Sequence, residues 1–198
     1  MKIFIFGDSF SEHTTADNSW ISLLEKKYNV INFSKGGLSN ADILNLFLKN
    51  INLISSSDYV IYGWTDCARY HININVKDRF KSGTQYLEEF YCEEIHAMHY
   101  RMYIKNVQDI VKDKNLKMLT FYSFPSINFN NEKVWDYQIL PDLCSISARE
   151  VNGDYKKSKF YPIDSRPNHL GDFVIHHKLF NIVEEFIKTP DKKEFIIT

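Results

Sequence analysis

Residues 2–10, with the sequence KIFIFGDSF, decide the fold. An apolar run without polar alternation that stops at a glycine is typical of a buried parallel strand. The turn at Gly7 then places Asp8 and Ser9 at the carboxyl end of that strand, where open α/β sheets keep their ligand sites. A helix directly after the turn would favour a nucleophile or an anion at its positive N-terminus. The stretch alone leaves a second interpretation open, in which Asp8 and Ser9 only cap that helix.

Strand-like and helix-like segments alternate through the rest of the chain. Short apolar runs predict strands at residues 29–33, 58–63 and 116–122, and amphipathic spacing predicts helices at residues 19–28, 39–51, 93–112 and 172–188. The run at 58–63 repeats the opening pattern and also ends in a glycine, Gly63. This alternation indicates a parallel sheet with right-handed crossovers. Residues 70–91 and 125–162 are predicted to be irregular insertions in a single domain that spans residues 1–198, and residues 172–188 to be the last organised piece.

Composition narrows the functional classes. The 198 residues are 44% hydrophobic, enough for one well-developed core. Lys and Arg total 24 against 25 Asp and Glu, and without a basic block this balance gives no indication of nucleic-acid or membrane partners. Three widely spaced cysteines fit neither a disulfide scaffold nor a cysteine zinc site. We expect a cytoplasmic protein with no signal peptide, membrane span, cofactor or metal; its oligomeric state is left open.

Ser9 needs a base, because a serine hydroxyl is a poor nucleophile until its proton is removed. The best source of one is the segment 163–171, which precedes the last predicted helix. In a parallel sheet such a loop can return to the edge where the opening turn lies. His169 is then the predicted general base and Asp164 the residue that orients it.

Four blocks of sequence now form a recognisable order: GDSF at 7–10, GGLSN at 36–40, GWTD at 63–66 and DSRPNHLG at 164–171. In this order the chain resembles the SGNH (GDSL-type) hydrolase superfamily over nearly its whole length. The resemblance implies an α/β protein with a flavodoxin-like, three-layer α/β/α fold around a central parallel sheet. It also implies hydrolysis of a small-molecule or glycan ester, for example O-acyl groups on a glycan, through an acyl-serine intermediate.

The resemblance also implies roles for single residues. Ser9 is expected to be the nucleophile, and the amides of Ser9 and Gly37 are expected to bind the oxyanion together with Thr65. The family has an asparagine where this chain has Thr65, and loss of one such donor commonly costs about two to three orders of magnitude in rate.

The last block departs from the family as well. The family sets its aspartate three residues before the histidine, whereas Asp164 lies five before His169. An alignment on residues 167–168 instead puts Arg166 in the histidine position, and arginine is not a base near neutral pH. The departures at Thr65 and Arg166 leave open a binding protein that keeps the fold without turnover. An acyltransferase that uses the same serine with an alcohol acceptor is a second alternative.

Other polar residues have plainer interpretations. Arg69, soon after the third predicted strand, is expected to pair with Asp66 or another acid, although it could also bind a substrate carboxylate or phosphate. Trp64 is interpreted as packing beside the site. The remaining histidines considered are interpreted as packing, structural or surface residues and not as metal ligands: His96, His99, His176 and His177.

Overall fold

The computed structural model describes residues 1–12, 19–67, 69, 92–124, 138–140, 142–143, 173–189 and 194–196. Its strands are β1 (Ile3–Phe6), β2 (Val30–Asn32), β3 (Tyr59–Trp64), β4 (Lys117–Tyr122), β5 (Gln138–Leu140) and β6 (Glu194–Ile196). All pair in parallel, in the spatial order β2-β1-β3-β4-β5-β6. The described α-helices are α1 (Trp20–Glu25), α2 (Asn40–Asn50), α3 (Glu93–Asp113) and α4 (Phe173–Lys188).

The two faces of the sheet carry separate apolar cores. Along β1, Ile3 and Ile5 point to the core that α1 and α4 cover, whereas Phe4 and Phe6 point to the core under α2 and α3. All four side chains are fully buried. Side chains alternate across a strand, so a strand covered on both faces is apolar throughout, and each such burial contributes about 1.5–3 kcal/mol. The predicted three-layer α/β/α fold with a central parallel sheet is confirmed.

The order in which the chain adds strands to the sheet changes side at β1, although all strands run parallel. From β1 the chain crosses to β2 on one side and then returns to β3 on the other side, with α1 and α2 as the described parts of these connections. Such a switch point opens a crevice at the carboxyl ends of the two flanking strands. The Asp8-Ser9 turn follows β1 directly at this point.

Helix starts agree with the sequence. The Ser19 hydroxyl caps α1 by accepting from the Ser22 amide at 3.1 Å. Ser39 and Asp42 form a capping box at the start of α2. The amide of Trp20, at the first position of α1, donates to Nδ1 of His176 on α4 at 3.1 Å. His176 is buried, so its structural interpretation is confirmed.

Three predictions about element limits were wrong. Gly63 lies inside β3 instead of ending it. Glycine fits this position because a β-carbon there would lie 2.5 Å from Cζ of the Phe121 ring. Within the segment predicted to be irregular, Gln138–Leu140 form β5, and Glu194–Ile196 form β6 beyond the helix expected to be last. Both strands have three residues, too few for a periodic pattern, and pairing with their neighbours defines them.

The insertion at 70–91 and most of that at 125–162 lie outside the described residues. The single-domain organisation remains a prediction. Among the helices that the structure describes, none is both long and apolar enough to cross a bilayer.

Candidate active site

The turn after β1 is built to hold Ser9. The Ser11 amide donates to the Asp8 carbonyl at 3.1 Å, and the Phe10 amide donates to Oδ1 of Asp8 at 3.0 Å. An aspartate that accepts from the backbone two residues later makes the turn local and rigid. A larger residue does not fit at Gly7 in this arrangement, because its β-carbon would overlap the hydroxyl of Ser11. The sequence Gly-Asp-Ser therefore combines a tight turn with an acceptor that holds it.

The carboxylate of Asp8 joins the carboxyl ends of three strands. It is fully buried, and its Oδ2 accepts from the Thr65 hydroxyl after β3 at 2.7 Å, while its Oδ1 accepts from the Ser123 hydroxyl after β4 at 2.9 Å. Nη1 of Arg69 lies 3.6 Å from Oδ2 of the same carboxylate. The prediction that Arg69 pairs with an acid is confirmed, and the acid is Asp8.

The position of Thr65 is fixed by its neighbour Asn40. Asn40 Oδ1 accepts from the Thr65 amide at 3.0 Å, and its Nδ2 donates to the Thr65 carbonyl at 3.0 Å. The amide and the hydroxyl of Thr65 therefore both donate to protein groups. A hydroxyl has a single proton, so in this arrangement Thr65 orients Asp8 and has no donor left for an oxyanion.

The loop after β2 approaches Ser9 from the other side. A β-carbon at Gly36 would lie 3.6 Å from Cβ of Ser9, and the Gly36 amide donates to Oε2 of Glu12 at 2.8 Å. Gly37 follows with φ of +79°, in the left-handed region that glycine adopts without strain, and a β-carbon added there would have no neighbour within 4 Å. This conformation turns the loop at the site, directly beside the nucleophile turn.

Within the part of the chain that the structure describes, three polar groups in this corner have no partner. Ser9 is 3% exposed and its Oγ makes no hydrogen bond, while the backbone amides of Ser9 and Gly37 donate to no group. Gly37 is exposed, so the cost of an unpaired buried polar atom, about 1–3 kcal/mol, applies to the Ser9 hydroxyl. Such a cost is typical of sites where a substrate or a catalytic partner completes the hydrogen bonds.

The other predicted catalytic residues, His169 and Asp164, lie outside the described residues, as does Arg166. The structure therefore brings together Ser9, Gly37 and Thr65 only. Among the described residues, no group of three or more His, Cys, Asp or Glu side chains is placed to hold a metal ion.

Two site residues, Ser123 and Asn40, were not predicted from the sequence. Ser123 directly follows β4, so the rule that carboxyl ends of parallel strands share one edge could have found it. The sequence around Asn40 indicates only a helix cap, because its contact with Thr65 depends on how α2 docks beside β3. Trp64 is fully buried, which confirms that it packs beside the site.

Solved structures share this fold. The acetyl xylan esterase AlAXEase is 16% identical, with a TM-score of 0.53 over 93% of this chain and 98% of its own. A Bacillus subtilis protein is 17% identical, with a TM-score of 0.52 over 97% of this chain and 57% of its own.

No protein-family model matches the chain, and a search of curated proteins gives no match. The structural similarity agrees with the predicted three-layer α/β/α fold, which this chain shares with the acetyl xylan esterase. At this level of identity it establishes the fold alone, so the activity has to be argued from the site.

Proposed function

We propose that the protein is a serine esterase that hydrolyses a carboxylic ester through an acyl-serine intermediate. One observation carries the proposal: the buried hydroxyl of Ser9 is unpaired among the described residues, at the switch point of the sheet. The amides of Ser9 and Gly37, which also donate to no described group, support it further. In acyl transfer the nucleophile bonds to a base and nearby amides bind the oxyanion, and these groups are available for those roles because no described residue occupies them.

In the proposed mechanism His169 removes the proton of the Ser9 hydroxyl as its oxygen attacks the ester carbonyl. Asp164 orients the imidazole and stabilises its charged form. The amides of Ser9 and Gly37 bind the oxyanion of the tetrahedral intermediate. His169 then protonates the leaving alcohol, and a water molecule repeats the sequence to release the acid and restore Ser9.

Thr65 has a positioning role in this proposal. Its hydroxyl donates to Asp8, so the oxyanion site has two amide donors instead of two amides and a side chain. The missing donor predicts a slower enzyme, by about two orders of magnitude relative to a site with three donors. It also favours a second candidate function, binding of an ester or glycan without turnover.

The test is hydrolysis of 4-nitrophenyl acetate, 4-nitrophenyl butyrate and acetylated xylan by wild type, Ser9→Ala and His169→Ala. The acetylated glycan is included because a structure with the same fold is described as an acetyl xylan esterase. Each variant is expected to lose about three or more orders of magnitude in kcat/KM. The matched controls are Ser34→Ala, which removes another unpaired buried hydroxyl, and His177→Ala, which removes an exposed histidine; both should retain activity.

Turnover that survives Ser9→Ala would refute the mechanism. Retention of activity in His169→Ala alone would assign the base to another residue. Binding of the esters by wild type without turnover would favour the second candidate. An added alcohol acceptor that becomes acylated at the expense of hydrolysis would identify an acyltransferase with the same nucleophile.

A further inference from the structure

A small pocket lies between α2 and α3, beside the carboxyl end of β3. Its walls include Asn40 and Ala41 from the first turn of α2, Arg69, and His99 and Tyr103 from α3. Its empty volume, including the open mouth, is about 320 Å³. That space is large enough for a carboxylate or a phosphate group.

The Arg69 guanidinium is the distinctive group in this pocket. Its Nη1 is buried and makes no hydrogen bond, since the 3.6 Å to Asp8 Oδ2 is too long for one. Its carbon Cζ lies 5.0 Å from the centre of the Phe124 ring, and the side chain is 29% exposed. The guanidinium is therefore oriented by an ion pair and a ring, while its donors are unused by any described residue.

Asp8 does not need those donors. Its two oxygens already accept from the Phe10 amide, Thr65 and Ser123. The Arg69 side chain lines the pocket and is 29% exposed, so its guanidinium can bind another anion, for which arginine suits carboxylate and phosphate.

We propose that this pocket binds an anionic group, a carboxylate or a phosphate, carried by the ester substrate, with Arg69 as its main ligand. The inference rests on the proposed esterase function of Ser9 and names the substrate class for that site. Asp8 contacts Arg69 and immediately precedes Ser9, so a substrate anchored in the pocket presents its ester close to the nucleophile.

The kinetic test uses esters that differ in charge. On the alcohol side, 4-acetoxybenzoate and 4-acetoxyphenyl phosphate are compared with uncharged 4-acetoxybenzamide. On the acyl side, 4-nitrophenyl hydrogen glutarate is compared with its methyl ester. We expect wild type to favour at least one charged ester by about tenfold or more in kcat/KM, the usual worth of a charge-assisted hydrogen bond. The charged ester that is preferred identifies the carboxylate or the phosphate as the ligand.

Two variants probe the pocket independently. Arg69→Gln removes the cation, and Ala41→Leu fills the space without changing a charge. Each should reduce the preference for the charged ester by about tenfold, whereas Arg101→Gln, an exposed arginine on α3, should leave the preference unchanged. The proposal is overturned if wild type shows no preference in any pair, or if Arg69→Gln lowers activity on both members of a pair equally.

A binding measurement separates this proposal from the esterase proposal. In the Ser9→Ala background, calorimetry should show tighter binding of the charged ester than of its uncharged counterpart, and addition of Arg69→Gln should remove the difference. This result supports the pocket even where wild type hydrolyses no ester, which would refute the esterase proposal alone. Equal affinity for the two esters, or no measurable binding of any charged ester, overturns the pocket.

Discussion

Two buried aspartates lie at opposite ends of the sheet, and they differ in what surrounds them. Asp58, before β3, accepts from the Lys2 amide at 2.7 Å, the Ser55 amide at 3.0 Å and the Ser55 hydroxyl at 2.7 Å. Asp8, after β1, accepts three hydrogen bonds as well, and it is also 3.6 Å from Arg69. Both carboxylates connect neighbouring strands.

Unpaired groups distinguish the two ends. Around Asp58 the hydroxyls of Ser55 and Ser57 pair with each other, and the donors that reach the carboxylate are all used. Next to Asp8, the Ser9 hydroxyl and Nη1 of Arg69 are buried without a hydrogen bond to any described residue. A fully paired buried aspartate stabilises the fold, whereas unpaired polar groups around an equally well-bonded one indicate a place for a ligand.

Replacement of each aspartate by asparagine tests this comparison directly. Asp8→Asn should lower kcat/KM by about 100-fold, because the turn that carries Ser9 shifts. It should also lower the free energy of unfolding by about 3 kcal/mol, because the partly buried Arg69 loses its counter-charge. Ester kinetics and urea unfolding measure the two effects.

Asp58→Asn is the matched control. It should cost about 1–2 kcal/mol of stability through its lost charge-assisted hydrogen bonds. Its kcat/KM should stay at the wild-type value. Equal losses of activity in the two variants would show that the surroundings of Asp8 and Asp58 do not differ in function.

Gly37, at the site, and Asn115, away from it, both have a positive φ, so replacing each by alanine compares the effect of backbone strain at the two places. Gly37→Ala places a side chain at a φ of +79°, with no neighbour to clash, at a cost of about 1–2 kcal/mol. The strain should move the amide next to Ser9 and reduce kcat by about tenfold or more. Asn115, after α3, also has a positive φ, of 50°, so Asn115→Ala should lower stability without lowering kcat. An unchanged kcat in Gly37→Ala would remove its amide from the oxyanion site.

The smallest expected effect concerns pH. Burial lowers the pKa of His96 from its ordinary value of 6.5, and the charge of nearby His99 lowers it further. The unfolded chain takes up a proton near pH 6.5 that the folded protein takes up only at lower pH, so stability decreases as the pH falls below about 6.5. His96→Gln should flatten this decrease in thermal unfolding, and the exposed control His177→Gln should not. An unchanged slope in His96→Gln would contradict the assignment.

Strands β1 and β3 could be predicted because each contains a continuous apolar run of four residues, at 3–6 and 59–62, and β4 because Thr120 alone interrupts its run at 118–122. Gly7 marked the end of β1 correctly, but the same signal failed at Gly63, where the absent side chain leaves room for the Phe121 ring instead of a turn. A glycine after an apolar run can end a strand or make room for a neighbouring side chain. At Gly63 the packing of β3 against β4 determines that it makes room for Phe121.

The nucleophile turn could be predicted for the same reason, since Asp8 and Ser9 follow a strand. The hydrogen bonds of Asp8 to Thr65 and Ser123 could not be predicted, because these partners are 57 and 115 positions away from Asp8 in the sequence. From the sequence we expected Thr65 to help bind the oxyanion, whereas in the structure its hydroxyl donates to Asp8. The pairing of β1 with β3 and of β3 with β4 determines these contacts, and the local patterns that predict each strand do not give that pairing.

The central claim is that Ser9 is an activated nucleophile, and covalent labelling tests it most directly. Wild type and Ser9→Ala would be treated with a fluorophosphonate, which phosphonylates activated serines, and then studied by intact mass and peptide mapping. We predict one phosphonyl group per chain in wild type, attached to Ser9, and none in Ser9→Ala. Labelling at another residue, or no labelling of a folded wild-type protein that binds the esters, would contradict the account.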